Sequence, residues 1–278
     1  MNPRKKIRPG KVVLYIILIM AAFFTIYPFL WMISASFKPI RDIIGGGLTL
    51  WSPNMTFDNY TYIFGRSTLF PLWFLNSFIV ACIGTVINLF LNTMAGYALA
   101  RLHFRGRDTI FFLFLAFMMV PAQVLLIPNF LILRDLQLLN TLGALIIPSA
   151  ANIANIFMMR QFFINFPADV EEAAAIDGLG RFARFFRICF PLARPIIATQ
   201  AIFVFMGFWN EFVRAMLYLS TPRLFTLTLG LQTFQSRNAG TEWNRVMAAA
   251  CISVLPIIVL YLIFNKFFLV GLRMDGEK

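Results

Sequence analysis

The chain has 278 residues, 60% of them hydrophobic and 13% charged, with 33 phenylalanines, a balance too apolar for a water-soluble domain. Its formal net charge of +12 comes from arginines and lysines set between apolar runs, and no DNA- or RNA-binding motif accompanies them, which excludes nucleic acid as the partner. Three widely separated cysteines, Cys82, Cys189 and Cys251, offer neither a disulfide framework nor a Cys-pair metal site.

From residue 12 to residue 33 there is no charge. That run is long enough for a bilayer, which needs about 20 apolar residues, and exceeds the roughly 7 to 15 of a signal-peptide core. Further charge-free stretches follow at 67–100, 109–133, 136–159, 195–210 and 246–265. Together they predict an all-α membrane protein with six transmembrane helices, at about 12–35, 72–100, 109–131, 139–160, 195–220 and 246–267. Glu211 and Arg214 interrupt the fifth, which leaves five helices open. Residues 1–11 read as a basic N-terminal segment, 12–270 as one membrane domain and 271–278 as a tail.

Basic flanks resist translocation, so lysine and arginine counts orient the chain. With six helices, sixteen fall on the side holding both termini and eight on the other, which predicts cytoplasmic termini. The longest connections have about 30 residues and leave no room for a soluble domain.

Within the membrane runs, Asn76, Asn88, Asn92, Asn152, Asn155, Gln200 and Asn210 are amides that must face other helices or a watery cavity. Trp209, Asn210 and Glu211 combine an aromatic face with polar groups of the kind that read sugar hydroxyls, and with Arg214 they are the candidates for a substrate path. Trp209 could equally anchor the helix at the head-group level. Arg214 could meet an anionic cargo or pair with Glu211, one helical turn away. No phosphate-cradling G-x-x-x-x-G-K-[ST] occurs, and the single His103 makes no metal cluster. We therefore expect no catalysis, no metal and no cofactor in this chain.

The connection over 166–194 has more helix-forming order than a loop needs. Pro167 ends one helix, Asp169 and Glu172 stand at capping-box spacing, alanines follow, and Gly178 and Gly180 permit a turn. Phe182, Phe185, Phe186 and Cys189 then recur at i, i+3, i+4 and i+7, a greasy face that suits packing on the membrane domain. Glu171, Glu172 and Asp177 stand on an otherwise smooth alanine surface, a shape able to enter another protein's cleft or simply to cap the domain.

This segment resembles the EAA loop of ATP-driven importer permeases, E-A-A, three residues, G, nine residues, I, one residue, L-P. Glu172, Ala173, Ala174, Gly178, Ile188 and Pro191 fall at those places, with Phe190 for the leucine. The stretches FDNYTYIF (57–64), FLNSFIVA (74–81), AGYALARLHFRGR (95–107), VPAQVLLIPNF (120–130), LLNTLGALIIP (138–148), FWNEFV (208–213) and EWNRVMAAA (242–250) are similar to the carbohydrate-uptake branch, in particular to six-helix permeases of the maltose-system type. They cover most of the chain.

The resemblance implies a type I ABC importer permease fold in the bacterial plasma (inner) membrane. Glu171, Glu172, Ala173, Ala174, Asp177, Gly178, Ile188 and Pro191 would then form a cytoplasmic coupling loop for ATPase subunits. The implied partners are a second, non-identical permease, two ATPase subunits carrying ATP and magnesium, and an extracytoplasmic solute-binding protein. The implied cargo is a di- or oligosaccharide. Two departures, Arg214 and the tail GLRMDGEK, keep glycerol-3-phosphate or a related phosphodiester open. From another class, an ion-coupled secondary transporter would need buried ionisable groups, for which only Glu211 and Arg214 stand as candidates.

Overall fold

A computed structural model describes residues 9–65, 69–236 and 240–274. The basic residues before Pro9, Arg66 and Arg237 from the orientation count, and the last four residues of the tail, lie outside them. The principal helices are α1 (Pro9–Ser36), α2 (Phe70–Arg101), α3 (Arg107–Met118), α4 (Leu126–Asp135), α5 (Ile153–Ile164), α6 (Ala168–Ile176), α7 (Arg194–Trp209), α8 (Val213–Tyr218) and α9 (Trp243–Met274). A two-residue antiparallel pair, Gln235–Ser236 with Gly240–Thr241, is the one strand pairing among the described residues.

Among the described residues, three helices are long and apolar enough to cross a bilayer, at 10–36, 70–101 and 243–264. Two further apolar stretches are bent. Arg107–Met118 and Ala122–Asp135 meet at 97°, and Arg181–Leu192 and Arg194–Trp209 at 74°. The helix expected over 109–131 is therefore two, because Pro121 takes an extended conformation (ψ 133°) and has no N–H to continue the ladder. The helix expected over 139–160 is also broken. Gly143–Ile146 runs into a 3₁₀ turn at Pro148, and α5 begins afresh at Asn152, whose side chain accepts from the Asn155 N–H at 3.1 Å.

The chain divides into two units. The first holds residues up to 68 and 233–254. In it α1 turns its apolar side chains outward over most of its length, and only its last residues are buried. There Asn59 donates to the carbonyls of Ser36 at 2.8 Å and Lys38 at 2.9 Å, and accepts from Asn244 at 2.6 Å. This joins the end of α1, the short helix Asp58–Ile63 and the start of α9. Asp42 accepts from Ser52 at 2.5 Å and Asn54 at 3.1 Å, and those hydrogen bonds, with the nearby Arg41 and Lys38 charges, hold its carboxyl below the usual carboxylate range.

The second unit holds 69–232 and 255–278, and α2 is its axis, packed on α5 and α7. Close approach here depends on small residues, since lipid tails supply no hydrophobic drive between helices. A Cβ on Gly96 would fall 2.5 Å from Met159 Cβ and 2.9 Å from the Arg160 nitrogen. We expect Gly96→Ala to cost on the order of 1–3 kcal/mol by overpacking, read as a lower Tm of the purified protein. Gly45→Ala, which meets nothing within 4 Å, should leave Tm unchanged.

The buried amides join segments distant in sequence. Asn76 donates to the carbonyls of Arg223 and Phe225, at 2.9 and 3.0 Å, while Ser77 Oγ accepts from the Leu227 N–H at 2.7 Å. Asn88 donates to the Ser149 carbonyl at 2.7 Å and accepts from Asn92 at 2.6 Å and Asn155 at 3.0 Å. Asn92 accepts from the Asn152 N–H at 3.0 Å, and Gln200 donates to the Asn155 carbonyl at 3.1 Å.

Candidate functional site

Two places on the second unit stand out, the elbow over 166–194 and a cavity beside the break that follows α7. At the elbow, Pro167 occupies the N-cap position of α6 with no side-chain cap. The capping box expected from Asp169 and Glu172 is therefore not formed, because Asp169 lies inside the first turn. Asp169 and Glu171 there face the positive helix end. The helix ends in a Schellman turn, with the Leu179 N–H on the Ala174 carbonyl at 3.0 Å and the Gly178 N–H on the Ala175 carbonyl at 3.1 Å. Gly178 has φ +80°, a conformation that suits glycine.

The chain returns through Arg181–Arg184, a π-helical turn at Phe185–Cys189 and Phe190–Leu192. Phe185 and Cys189 are buried with Tyr97, Met159, Phe163 and Ala193. Phe182 is 76% exposed and Phe186 46%, so only half of the expected greasy face packs.

The elbow divides its acidic residues. Glu171, expected on the outward surface, is buried and faces Arg101, with Nε 3.3 Å from its carboxylate, and the Tyr97 hydroxyl donates to it at 3.4 Å. Arg101 also donates to the Phe166 carbonyl and lies over the Phe166 ring, 5.9 Å from its centroid. Ala174 is buried beside Glu171, while Ile188 and Pro191 are half-buried. Glu172, Ala173, Asp177 and Gly178 are exposed. So is Ile176, at 86%, a prominent apolar contact that the sequence pattern did not single out. Arg101 and Tyr97 were also missed, because nothing local marks them as partners of a helix so far downstream.

The cavity, of about 680 Å³, lies between the Ala122–Leu126 turn, the segment before α5 and the break at Glu211. Its volume is within the roughly 300–1,000 Å³ of small-molecule sites. Phe203, Val204 and Phe208 supply apolar wall, and Gln123, Asn129, Asn152 and Asn155 supply amides. Glu211 and Arg214 are the charged groups among its described lining residues.

The helix expected over 195–220 ends at Trp209 and resumes as α8 at Val213. At the break, Glu211 Oε1 accepts the Arg214 N–H at 3.0 Å, and the Glu211 carbonyl accepts from Thr228 at 2.7 Å. These bonds replace the helical ladder, in keeping with irregular backbone lining a cavity. Arg214 Nε donates to Glu211 Oε2 at 2.7 Å. Its Nη2 donates to the same oxygen and its Nη1 to Ser149 Oγ.

Of the four candidates for a substrate path, the cavity gathers Glu211 and Arg214 only. Trp209 is 2% exposed, packed between Phe74 (5.4 Å) and Phe205 (5.7 Å), and Asn210 is exposed outside the lining. Asn88, Asn152 and Asn155 both link segments and line the cavity. Gln123 and Asn129, not singled out in the sequence, join them because the bend at Pro121 turns that segment inward.

Residues 92–273 match the family described as binding-protein-dependent transport system inner membrane component. The chain is 35% identical to the arabinooligosaccharides transport system permease protein AraQ of Halalkalibacterium halodurans, over 92% of each chain. It is 32% identical to the trehalose/maltose transport system permease protein MalG of Thermococcus litoralis, over 96% of this chain and 97% of that one. A crystal structure of a bacterial ABC transporter involved in the import of the acidic polysaccharide alginate contains a chain with TM-score 0.83 and 25% identity, covering 96% of this chain and 99% of that one.

Proposed function

The chain belongs to the family of binding-protein-dependent transport system inner membrane components, and from that premise we propose that it forms half of the path for a di- or oligosaccharide and is driven by cytoplasmic ATPase subunits docked on its elbow. In this reading six crossings are made by α1, α2, the bent pair α3 and α4, the run through Gly143–Ile146 and α5, the broken pair α7 and α8, and α9. Both termini and the elbow face the cytoplasm. A second permease of different sequence closes the cavity from the other side, and an extracytoplasmic solute-binding protein delivers cargo. ATP and magnesium are held by the ATPase partners.

One observation carries the coupling role. The elbow is fastened from within by Glu171, Arg101 and the Phe185–Cys189 turn, while Glu172, Ala173, Ile176 and Asp177 are left exposed. A docked element transmits motion only if it is rigid toward its own domain and free toward the partner. The sugar relatives named above support the cargo class, as does a cavity rich in amides with aromatic wall.

The test uses Asp177→Cys in the assembled importer. We expect a bifunctional thiol reagent to join it to an ATPase subunit, and a membrane-impermeant thiol reagent to label it only from the cytoplasmic side. Labelling from the outer side would overturn the reading.

A further inference from the structure

Resting on the reading of the cavity as part of the path, we propose that Glu211 is a specificity-determining residue that keeps this path selective for uncharged glycans by holding Arg214 in an internal pair. An arginine in a polar cavity ordinarily invites a carboxylate or phosphate, for which its planar fork is well matched. Here the fork is already engaged. Nε, at 2.7 Å, and Nη2 donate to Glu211 Oε2, Nη1 donates to Ser149 Oγ, and the Arg214 backbone N–H takes the other carboxylate oxygen at 3.0 Å.

With the two charges cancelled, the described lining carries no net charge. An anionic glycan would be drawn by Arg214 and repelled by Glu211 over nearly equal distances. To bind Arg214 it would have to displace a carboxylate fixed to the same turn of backbone, leaving that carboxylate stranded in a site where its side chain is 14% exposed. Uncharged hydroxyls meet no such obstacle. Gln123 and Asn129 line the same cavity, and among the described residues neither makes a side-chain hydrogen bond to protein. Their amides can donate to and accept from a sugar. Selection thus works by cancelling an attraction, a repulsive element placed beside an attractive one.

The experiment uses the complete importer in nanodiscs without the solute-binding protein, which would otherwise impose its own selectivity. Maltotriose and trigalacturonate are the two probes, measured by equilibrium dialysis at two salt concentrations. We expect the wild-type complex to favour maltotriose. In Glu211→Gln, trigalacturonate affinity should rise about tenfold or more and become salt-sensitive. In the double variant Glu211→Gln/Arg214→Gln, the gain should vanish. Should Glu211→Gln fail to assemble, Arg214→Gln reads the same balance in the opposite direction, with the ratio of trigalacturonate to maltotriose affinity lowered further.

An unchanged ratio of the two probes in these variants, with maltotriose still bound, overturns the role of Glu211 and leaves the path reading standing. Maltotriose binding that is absent in the wild type, or that survives Gly207→Trp, where the new ring projects from the cavity wall, overturns the path reading itself.

Discussion

Deleting residues 172–178 is expected to leave the chain in the membrane and to strip it of its ATPase subunits, with co-purification lowered at least about 100-fold. That factor corresponds to about 2.8 kcal/mol, the range lost when the central anchor of an interface is removed. The deletion takes away Glu172, Ala173, Ile176 and Asp177, exposed groups at the C-terminal end of α6 and its cap, and spares the Phe185–Cys189 turn that packs on α2 and α5. Insertion should survive for that reason. A graded version is Gly178→Val. A Cβ at this position meets nothing within 4 Å, so the main cost is the positive φ, about 1–2 kcal/mol for a side chain forced into the left-handed region. Association should weaken without disappearing. Quantitative pull-down from membranes measures both, and normal association after the deletion would place the docking surface elsewhere.

Arg101→Ala is expected to do the reverse, keeping the ATPase subunits bound while lowering transport at least about tenfold. Arg101 is the fastening between α2 and the elbow, facing Glu171 at 3.3 Å and donating to the Phe166 carbonyl. Its loss leaves Glu171 with the Tyr97 hydroxyl, at 3.4 Å, and the Cys189 thiol as its neighbours. Stranding one member of a fully buried ion pair costs about 3–5 kcal/mol, and the penalty here is smaller because the two side chains keep 17% and 12% of their exposure. The outward face of α6 is untouched, so docking should persist and ATP should be hydrolysed with little solute moved. Glu171→Gln leaves Arg101 without its carboxylate but still bonded to the Phe166 carbonyl, and should fall between the wild type and Arg101→Ala. Transport in proteoliposomes, set beside hydrolysis and co-purification from the same preparation, distinguishes a loosened joint from a lost partner. Parallel loss of all three would deny Arg101 this transmitting role.

The long apolar helices were legible because burial in lipid demands uninterrupted runs, and α1, α2 and α9 follow those runs closely. Breaks were harder to read. Pro121 and Pro148 are visible as residues, yet the 97° bend after α3 depends on what packs around it. The interruption at Glu211 was visible as the end of a charge-free run, but the hydrogen bonds with Arg214 and Thr228 that shape the break were not. At the elbow, Gly178 and the alanines were plain from pattern alone. Glu171 was not, since its direction is set by Arg101 and Tyr97 on a distant helix. Trp209 looked like a sugar platform by composition, yet Phe205 stacks on it, Phe74 meets it edge to face, and it is buried. The pairing of Glu211 with Arg214, by contrast, was one of the two readings that their spacing along the chain offered.

The amides of α2 also set an order of events during synthesis. Asn76 and Ser77 find their partners 147 to 150 residues later, and Asn88 finds its own 61 and 67 residues later. In hydrocarbon an amide without a partner is costly, so α2 must wait beside the insertion machinery, or borrow water and neighbouring chains, until 149–155 and 223–227 emerge from the ribosome. The first helix, which turns most of its side chains outward, has late partners only at its C-terminal end. Ribosomes stalled before residue 149 should therefore hold nascent chains whose first helix is already at home in lipid while the second is still chaperoned.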